Sequence, residues 1–180
     1  MKKLYLILNA PRFIFHYILF TITNNKLKED IKTYKKGFFY LMTFEPTFRN
    51  LFYVRIGRIS WPLMLLAPRC ESLHLDRLTH IGEGCHLVHS YWTYIHAEKI
   101  GKNFTCLHNV TIGNYYGLPT IGDNVSIFTG AIVTGKINIG NNVKIGAGAV
   151  VSKSIPDNCT VIGNPAFIVK KDGEKVHIAL

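Results

Sequence analysis

The side chains suited to moving a proton near neutral pH are imidazoles, of which the chain has eight, His89 and His108 among them. His89 stands in Leu87-Val88-His89-Ser90 and His108 in Cys106-Leu107-His108-Asn109-Val110-Thr111. Asp76, upstream of both, either orients the His89 ring from a preceding turn of chain or remains a solvated carboxylate. Metal chemistry has no support in the spacing, since neither HExxH nor a zinc-type cysteine pattern occurs, so no metal is expected. Cys70, Cys85, Cys106 and Cys159 form no CxxC pair and read as small buried hydrophobes. Tyr91, Trp92, Tyr115 and Tyr116 offer rings that can stack on a sugar face. Thr129-Gly130-Ala131 and Gly146-Ala147-Gly148 are patches of small side chains that would let a ligand lie against backbone.

These residues sit in a repeat. An aliphatic residue returns at every sixth position through Ile121, Ile127, Val133, Ile139, Ile145 and Val151, a period that fits neither helix nor strand. Four residues behind each comes a second small or aliphatic residue: Val125, Ala131, Ile137, Val143, Ala149 and Ile155. The pattern predicts a parallel β-helix in which each hexapeptide supplies one short strand and one corner, and three complete a triangular coil. The first position of each repeat points inward, and no coil is stable alone. Gly122, Gly140 and Gly146 are expected at corners that need positive φ. Weaker repeats run upstream through Leu75, Ile81 and Leu87, then Ile100, Cys106 and Ile112. The phase slips by one residue between Leu87 and Ile100, which marks an outward bulge. Ile112 and Ile121 are nine apart, so a loop containing Tyr115, Tyr116, Gly117 and Pro119 leaves the prism there.

The rest of the chain frames this mainly-β prism. With 180 residues, 48% hydrophobic and 18% charged, it is globular and long enough for one sizeable core. Residues 1–70 lack the six-residue period and predict helices, one carrying Leu27, Ile31, Tyr34 and Phe38, another starting at Glu45-Pro46 and carrying Phe48, Leu51, Phe52 and Ile56. The expected division is a helical region over 1–70, a β-helix over 71–172 and a tail over 173–180. The apolar run from Leu4 to Thr23 is interrupted by Asn9, Pro11, Arg12 and His16, which argues against a spanning helix, and no signal-peptide cleavage site follows it. A cytoplasmic chain is expected. The net charge of +10 asks for an anionic partner. No helix-turn-helix or aromatic nucleic-acid motif is present, so nucleic acid is not expected. Lys2, Lys3 and Arg12 beside aromatic residues can touch the inner face of a membrane, or form a solvated helix face.

The run from Ile139 to Val151 and the ending Val161-Ile162-Gly163-Asn164-Pro165-Ala166 resemble the left-handed parallel β-helix acyltransferases, in particular the serine acetyltransferase-like branch that includes sugar O-acetyltransferases. The resemblance spans about residues 72 to 172. It implies acetyl-CoA as co-substrate, a homotrimer, and direct attack of an acceptor hydroxyl on the thioester. That reaction needs a base and donors for the developing oxyanion, and no protein nucleophile. His89 matches the family's catalytic histidine, and His108 is a second candidate for contacting acceptor or thioester. The aspartate that orients the family histidine lies about fifteen residues upstream, where this chain has His74, with Asp76 two positions later. By the same resemblance Thr129, Gly130, Ala131, Ala147 and Gly148 line the pantetheine groove. Asn164 and Pro165 close the last coil near the adenine, and Lys153, Lys170 or Lys171 meet the phosphates. The Arg-His-Pro stretch of serine acetyltransferase loops is missing, since the loop here reads Asn114-Tyr115-Tyr116-Gly117-Leu118-Pro119. The expected acceptor is therefore a sugar hydroxyl of a surface polysaccharide, stacked by Tyr91, Trp92, Tyr115 and Tyr116. The alternatives are serine O-acetylation and, in another class, a non-enzymatic trimeric scaffold. Arg49 and Arg55 are left as a carboxylate site without a place.

Overall fold

The computed structural model describes residues 1–23, 25–113 and 117–180. From Leu73 onward the chain winds as a parallel β-helix with three faces. The first stacks Leu73–Leu75, Thr93–Ile95, Thr111–Ile112, Ile132–Val133 and Val150–Val151. The second stacks His80–Ile81, Lys99–Ile100, Thr120–Ile121 and Asn138–Ile139. The third stacks His86–Leu87, Thr105–Cys106, Ser126–Ile127, Lys144–Ile145 and Cys159–Ile162. All six hexad residues from Ile121 to Val151 are buried, as are the six that follow four positions behind. Each buried aliphatic side chain contributes on the order of 2 kcal/mol before entropy is counted. Cys85 and Cys106 lie in this core, where burial raises both thiols far above the usual range and leaves them unreactive.

The one-residue phase slip resolves into two offsets. Leu87 to Ile95 takes eight positions, two more than a hexad, and Ile95 to Ile100 takes five, one fewer. The outward bulge is therefore the corner after Leu87, which carries His89.

The corner glycines are corrected by the structure. Gly122, Gly140 and Gly146 are not among the positive-φ residues. Gly122 and Gly140 are small because coils touch there: a Cβ on Gly122 would sit 2.8 Å from the Gly140 carbonyl carbon and oxygen. Asparagines take the left-handed conformation on the corner between the second and third faces. Asn103, Asn124, Asn142 and Asn158 have φ of 55, 58, 57 and 58°. Their side chains form a ladder, each amide nitrogen donating to the next oxygen at 2.8–3.0 Å and the last to Asp172. The ladder offsets a conformation that asparagine tolerates better than most residues.

The N-terminal region forms α1 (Lys2–Asn9), a 3-10 turn (Ala10–Phe13), α2 (Ile14–Thr23), α3 (Asn25–Tyr34), α4 (Phe38–Phe44), α5 (Pro46–Ile56) and a second 3-10 segment (Gly57–Leu65). Phe38 was expected on the helix of Leu27, but Lys35 at φ 54° and extended Gly37 end that helix and start another. Asn9, Pro11 and Arg12 do not stop the first run either, because the 3-10 turn carries the proline at its start, where no amide proton is needed. Lys2–Ile22 is consequently helical, long and apolar enough by those two measures to cross a membrane.

Helices α3 and α5 close the first coil. Asp30 pairs with Arg55 at 2.9 Å and accepts from the Cys85 amide at 2.8 Å, while Arg55 donates to the Ile81 and Gly82 carbonyls. Tyr34 accepts from the Leu87 amide, and Asn50 bridges Cys70 and Leu73. Arg49 donates to the Pro68 and Met42 carbonyls. Both arginines are thus structural, and neither makes a carboxylate site for an acceptor. At the other end Phe167–Lys171 and Glu174–Ala179 fold back antiparallel on Cys159–Ile162, so the segment expected as a tail joins the third sheet.

Gly122→Ala should lower stability by about 1–3 kcal/mol by forcing two coils apart, read as a lower urea midpoint. His16 supplies a pH test. It is buried, its Nε2 3.1 Å from the Tyr53 hydroxyl, and burial lowers its pKa from 6.5 to about 4. The folded state disfavours the imidazolium, so the contribution is complete above pH 6.5 and is lost as pH falls toward 4. Wild type should lose up to about 1.4 kcal/mol per pH unit in that window relative to His16→Gln. Comparing the two proteins at each pH cancels Asp30, whose carboxyl is raised by burial against the opposing pull of Arg55 and acts with the opposite sign.

Candidate active site

One corner, between the third and first faces, gathers most of the residues named from sequence. Leu87, Cys106, Ile127, Ile145 and Val161 pair in one column of the third face. Just past it, Asn109 donates its amide to the Tyr91 carbonyl at 2.9 Å, Gly130 to His108 at 3.3 Å and Gly148 to Thr129 at 2.9 Å. Tyr91, His108, Thr129 and Ala147 therefore stand one above another. Beside them Trp92, Asn109, Gly130 and Gly148 form a second column, all with positive φ of 54, 57, 73 and 67°.

His89 lies on the two extra residues of the first coil. Its φ is 47°, its side chain is exposed, and its carbonyl accepts from the Tyr91 amide at 2.6 Å. Ser90 turns inward and donates to the Cys106 carbonyl at 2.7 Å, which ties the bulge to the coil above. His89 is thereby held outside the regular column, one coil before His108. Trp92, 78% exposed, and Tyr91, 37% exposed, share its corner.

The expected pantetheine groove has the predicted stacking. The two small-residue patches lie one coil apart, and a Cβ on Gly148 would meet nothing within 4 Å. An extended chain can approach the backbone there. The turn holding Asn164 and Pro165 follows Gly163, whose carbonyl accepts from Val150 at 3.0 Å, so it caps the same corner. The lysines stand elsewhere. Lys170 pairs with Thr160 and Lys171 with Cys159, at the far end of the last coil strand, and Lys153 follows Val151 at the corner between the first and second faces.

Asp76 does not join His89 in this chain. It follows Leu75 at the end of the first-face strand opposite to that corner, with Oδ2 3.9 Å from His96 Nε2 and Oδ1 accepting the Leu78 amide at 2.7 Å. Its oxygens cap a local turn, the ordinary use of an aspartate in that position. His74, at the position of the family's aspartate, stacks on Tyr94 with ring centres 4.5 Å apart. His86 packs edge-on against Tyr34, and burial lowers its pKa. Tyr115 and Tyr116 lie outside the described residues. Among the described residues, no group of three His, Cys, Asp or Glu side chains could hold a metal ion.

Asn109 was given no role from sequence, yet its amide nitrogen lies 3.9 Å from where a Cβ of Gly130 would sit. Aligning the coils rather than the hexads exposes it, because Asn109 takes the place filled by Gly130 and Gly148 in later coils.

Residues 119–153 match the family model described as bacterial transferase hexapeptide (six repeats). A serine acetyltransferase of Staphylococcus xylosus is 46% identical over 83 residues, 43% of this chain and 38% of its own length. The matched segment thus spans well under half of that relative. A crystal structure of serine acetyltransferase from Brucella abortus superposes with a TM-score of 0.69 at 27% identity, covering 82% of this chain and 69% of that one. A serine acetyltransferase in complex with CoA superposes at 0.67 with 23% identity, over 81% and 68%, a likeness of fold alone.

Proposed function

We propose that this chain, a parallel β-helix of hexapeptide repeats similar to serine acetyltransferases, is an acetyl-CoA-dependent O-acetyltransferase with L-serine as acceptor. The observation that carries the reading is the single corner holding an exposed histidine on a bulge, a second histidine in the next coil and a stacked small-residue groove beyond them. Such a corner orders base, acceptor and thioester along the prism axis. The relatives reported bear the name serine acetyltransferase, which favours serine over the carbohydrate expected from the aromatic residues. The carbohydrate reading keeps one observation in its favour, the exposed Trp92 and Tyr91 beside His89.

In this mechanism the acceptor oxygen attacks the acetyl carbonyl while His89 takes its proton. The C–S bond then breaks and the proton passes to the departing thiolate. His108 contacts the acceptor or the thioester, and in this reading the Asn109 side-chain amide donates to the oxyanion. Orientation of His89 comes from its backbone, locked by Tyr91 and Ser90, rather than from Asp76. Lys153, Lys170 and Lys171 reach donor phosphates only at a distance from the corner, so they contribute attraction more than orientation.

Release of free CoA from acetyl-CoA should require L-serine and fall by roughly two to four orders of magnitude in His89→Ala, with CoA affinity nearly unchanged. Release only with a sugar, sugar nucleotide or oligosaccharide would move the acceptor to carbohydrate. Absence of release with every acceptor, together with no CoA binding, would leave the scaffold reading. The assembly proposed is a trimer with grooves closed by neighbouring prisms, and a solution mass three times the 20.4 kDa chain is the expected outcome. A monomeric mass at micromolar concentration would sink it.

A further inference from the structure

The helical run at the N-terminus turns almost all of its apolar surface outward. Leu4, Ile7, Leu8, Phe15, Ile18 and Ile22 are 44–73% exposed. Phe13 and His16 alone among residues 1–22 are buried; His16 meets Phe52 and Tyr53 of α5, and Tyr5 and Phe20 meet Phe44 and Phe38 of α4. The neighbouring segment Gly57–Leu65 touches α2 and adds exposed Ile59, Trp61 and Leu65. So large an apolar surface on an otherwise well-packed protein marks a contact.

Charge identifies what it contacts. Residues 1–28 contain Lys2, Lys3, Arg12, Lys26 and Lys28 and no acidic residue. A second copy docking through the same face would set these cations against their own kind. An anionic surface would neutralise them while taking up the apolar side chains, and a tryptophan beside the patch suits the water–lipid boundary. The run also lies against the other helices along its length, with Tyr5 on Phe44, His16 on Phe52 and Phe20 on Phe38, and crossing a bilayer would pull these side chains out of their packing. We propose that Lys2–Ile22 lies flat in the headgroup region of an anionic bilayer, seating the β-helix at a membrane surface. This surface is separate from the histidine corner and stands whether the acceptor there is serine or a sugar.

The full chain would be centrifuged with vesicles of phosphatidylcholine alone and of phosphatidylcholine containing phosphatidylglycerol. The expected result is co-sedimentation with the anionic vesicles that weakens with salt. It should drop about tenfold or more in Leu4→Ser/Leu8→Ser/Phe15→Ser and by a similar factor in Lys2→Ser/Lys3→Ser/Arg12→Ser. Both variants change exposed side chains, and an unaltered circular dichroism spectrum and unaltered acetyl-CoA turnover would show that fold and corner are intact. No sedimentation with either vesicle would overturn the proposal, as would sedimentation indifferent to both variants. A smaller oligomer in the apolar variant without any vesicle binding would assign the face to a second copy instead. Retention through an alkaline wash would mean that the run spans the bilayer and would equally overturn it.

Discussion

A β-helix has open backbone edges at its ends, and in this protein the first of them is closed by the buried Asp30–Arg55 pair. The carboxylate takes the Cys85 amide and the guanidinium fills the Ile81 and Gly82 carbonyls; the Ile100, Ile121 and Ile139 carbonyls, which stand in line with Ile81, are met instead by an amide of the preceding coil. An unmet amide or carbonyl in that place would carry a desolvation cost of about 1–3 kcal/mol each. Uncovered, the same edge would invite strands of other molecules. Two charges can be buried here because each is satisfied by the other and by backbone. Everything above rests on that lowest coil, since each coil uses its predecessor as a template.

From this base the register is inherited. Inward columns on the three faces fix which residue stands above which, and side chains placed just beyond an inward position in successive coils become neighbours. The corner past Leu87 exploits this. Two extra residues swing His89 out of line without disturbing the columns, because Ile95 returns to the first face and the shorter passage to Ile100 recovers one of the two positions. The cost is a histidine and a tryptophan at positive φ. Such conformations are disfavoured for residues other than glycine and concentrate at functional sites. Here they separate the proposed base from the regular surface and leave the following coils free to present small residues.

The N-terminal helices have two unlike surfaces. One side supplies Asp30, Tyr34, Asn50 and Arg55 to the open coil; on the other, α1 and α2 are held by Phe13, His16 and ring contacts of Tyr5, Tyr17 and Phe20 with α4, and leave apolar side chains in the open. A region that merely capped the solenoid would need no such surface. The helices thus have the form of an adaptor between the prism and whatever the apolar face meets.

How much of this could be read beforehand depends on whether a signal was periodic. The hexads from Ile121 to Val151 declared the β-helix, its inward residues and the stacking of the two small-residue patches, because one coil of about three hexads brings equal positions together. The helix of α5 was legible from Glu45-Pro46 and its apolar spacing. The bulge at His89 appeared only as a net slip of one, since counting along a line adds offsets of plus two and minus one. The glycines misled, as a sequence cannot distinguish a glycine needed for positive φ from one needed because another backbone lies against it. Asp76 and His89 looked close in coil count, but the strand between their corners sends Asp76 to His96. Arg49 and Arg55 looked available until backbone carbonyls claimed them, those of Pro68 and Met42 for the one and of Ile81 and Gly82 in the first coil for the other. Periodic burial is a local property and was determined by the sequence. Which corner a side chain occupies, and which backbone group consumes its hydrogen bonds, depends on neighbours twenty or fifty residues away, and only the tertiary structure decided it.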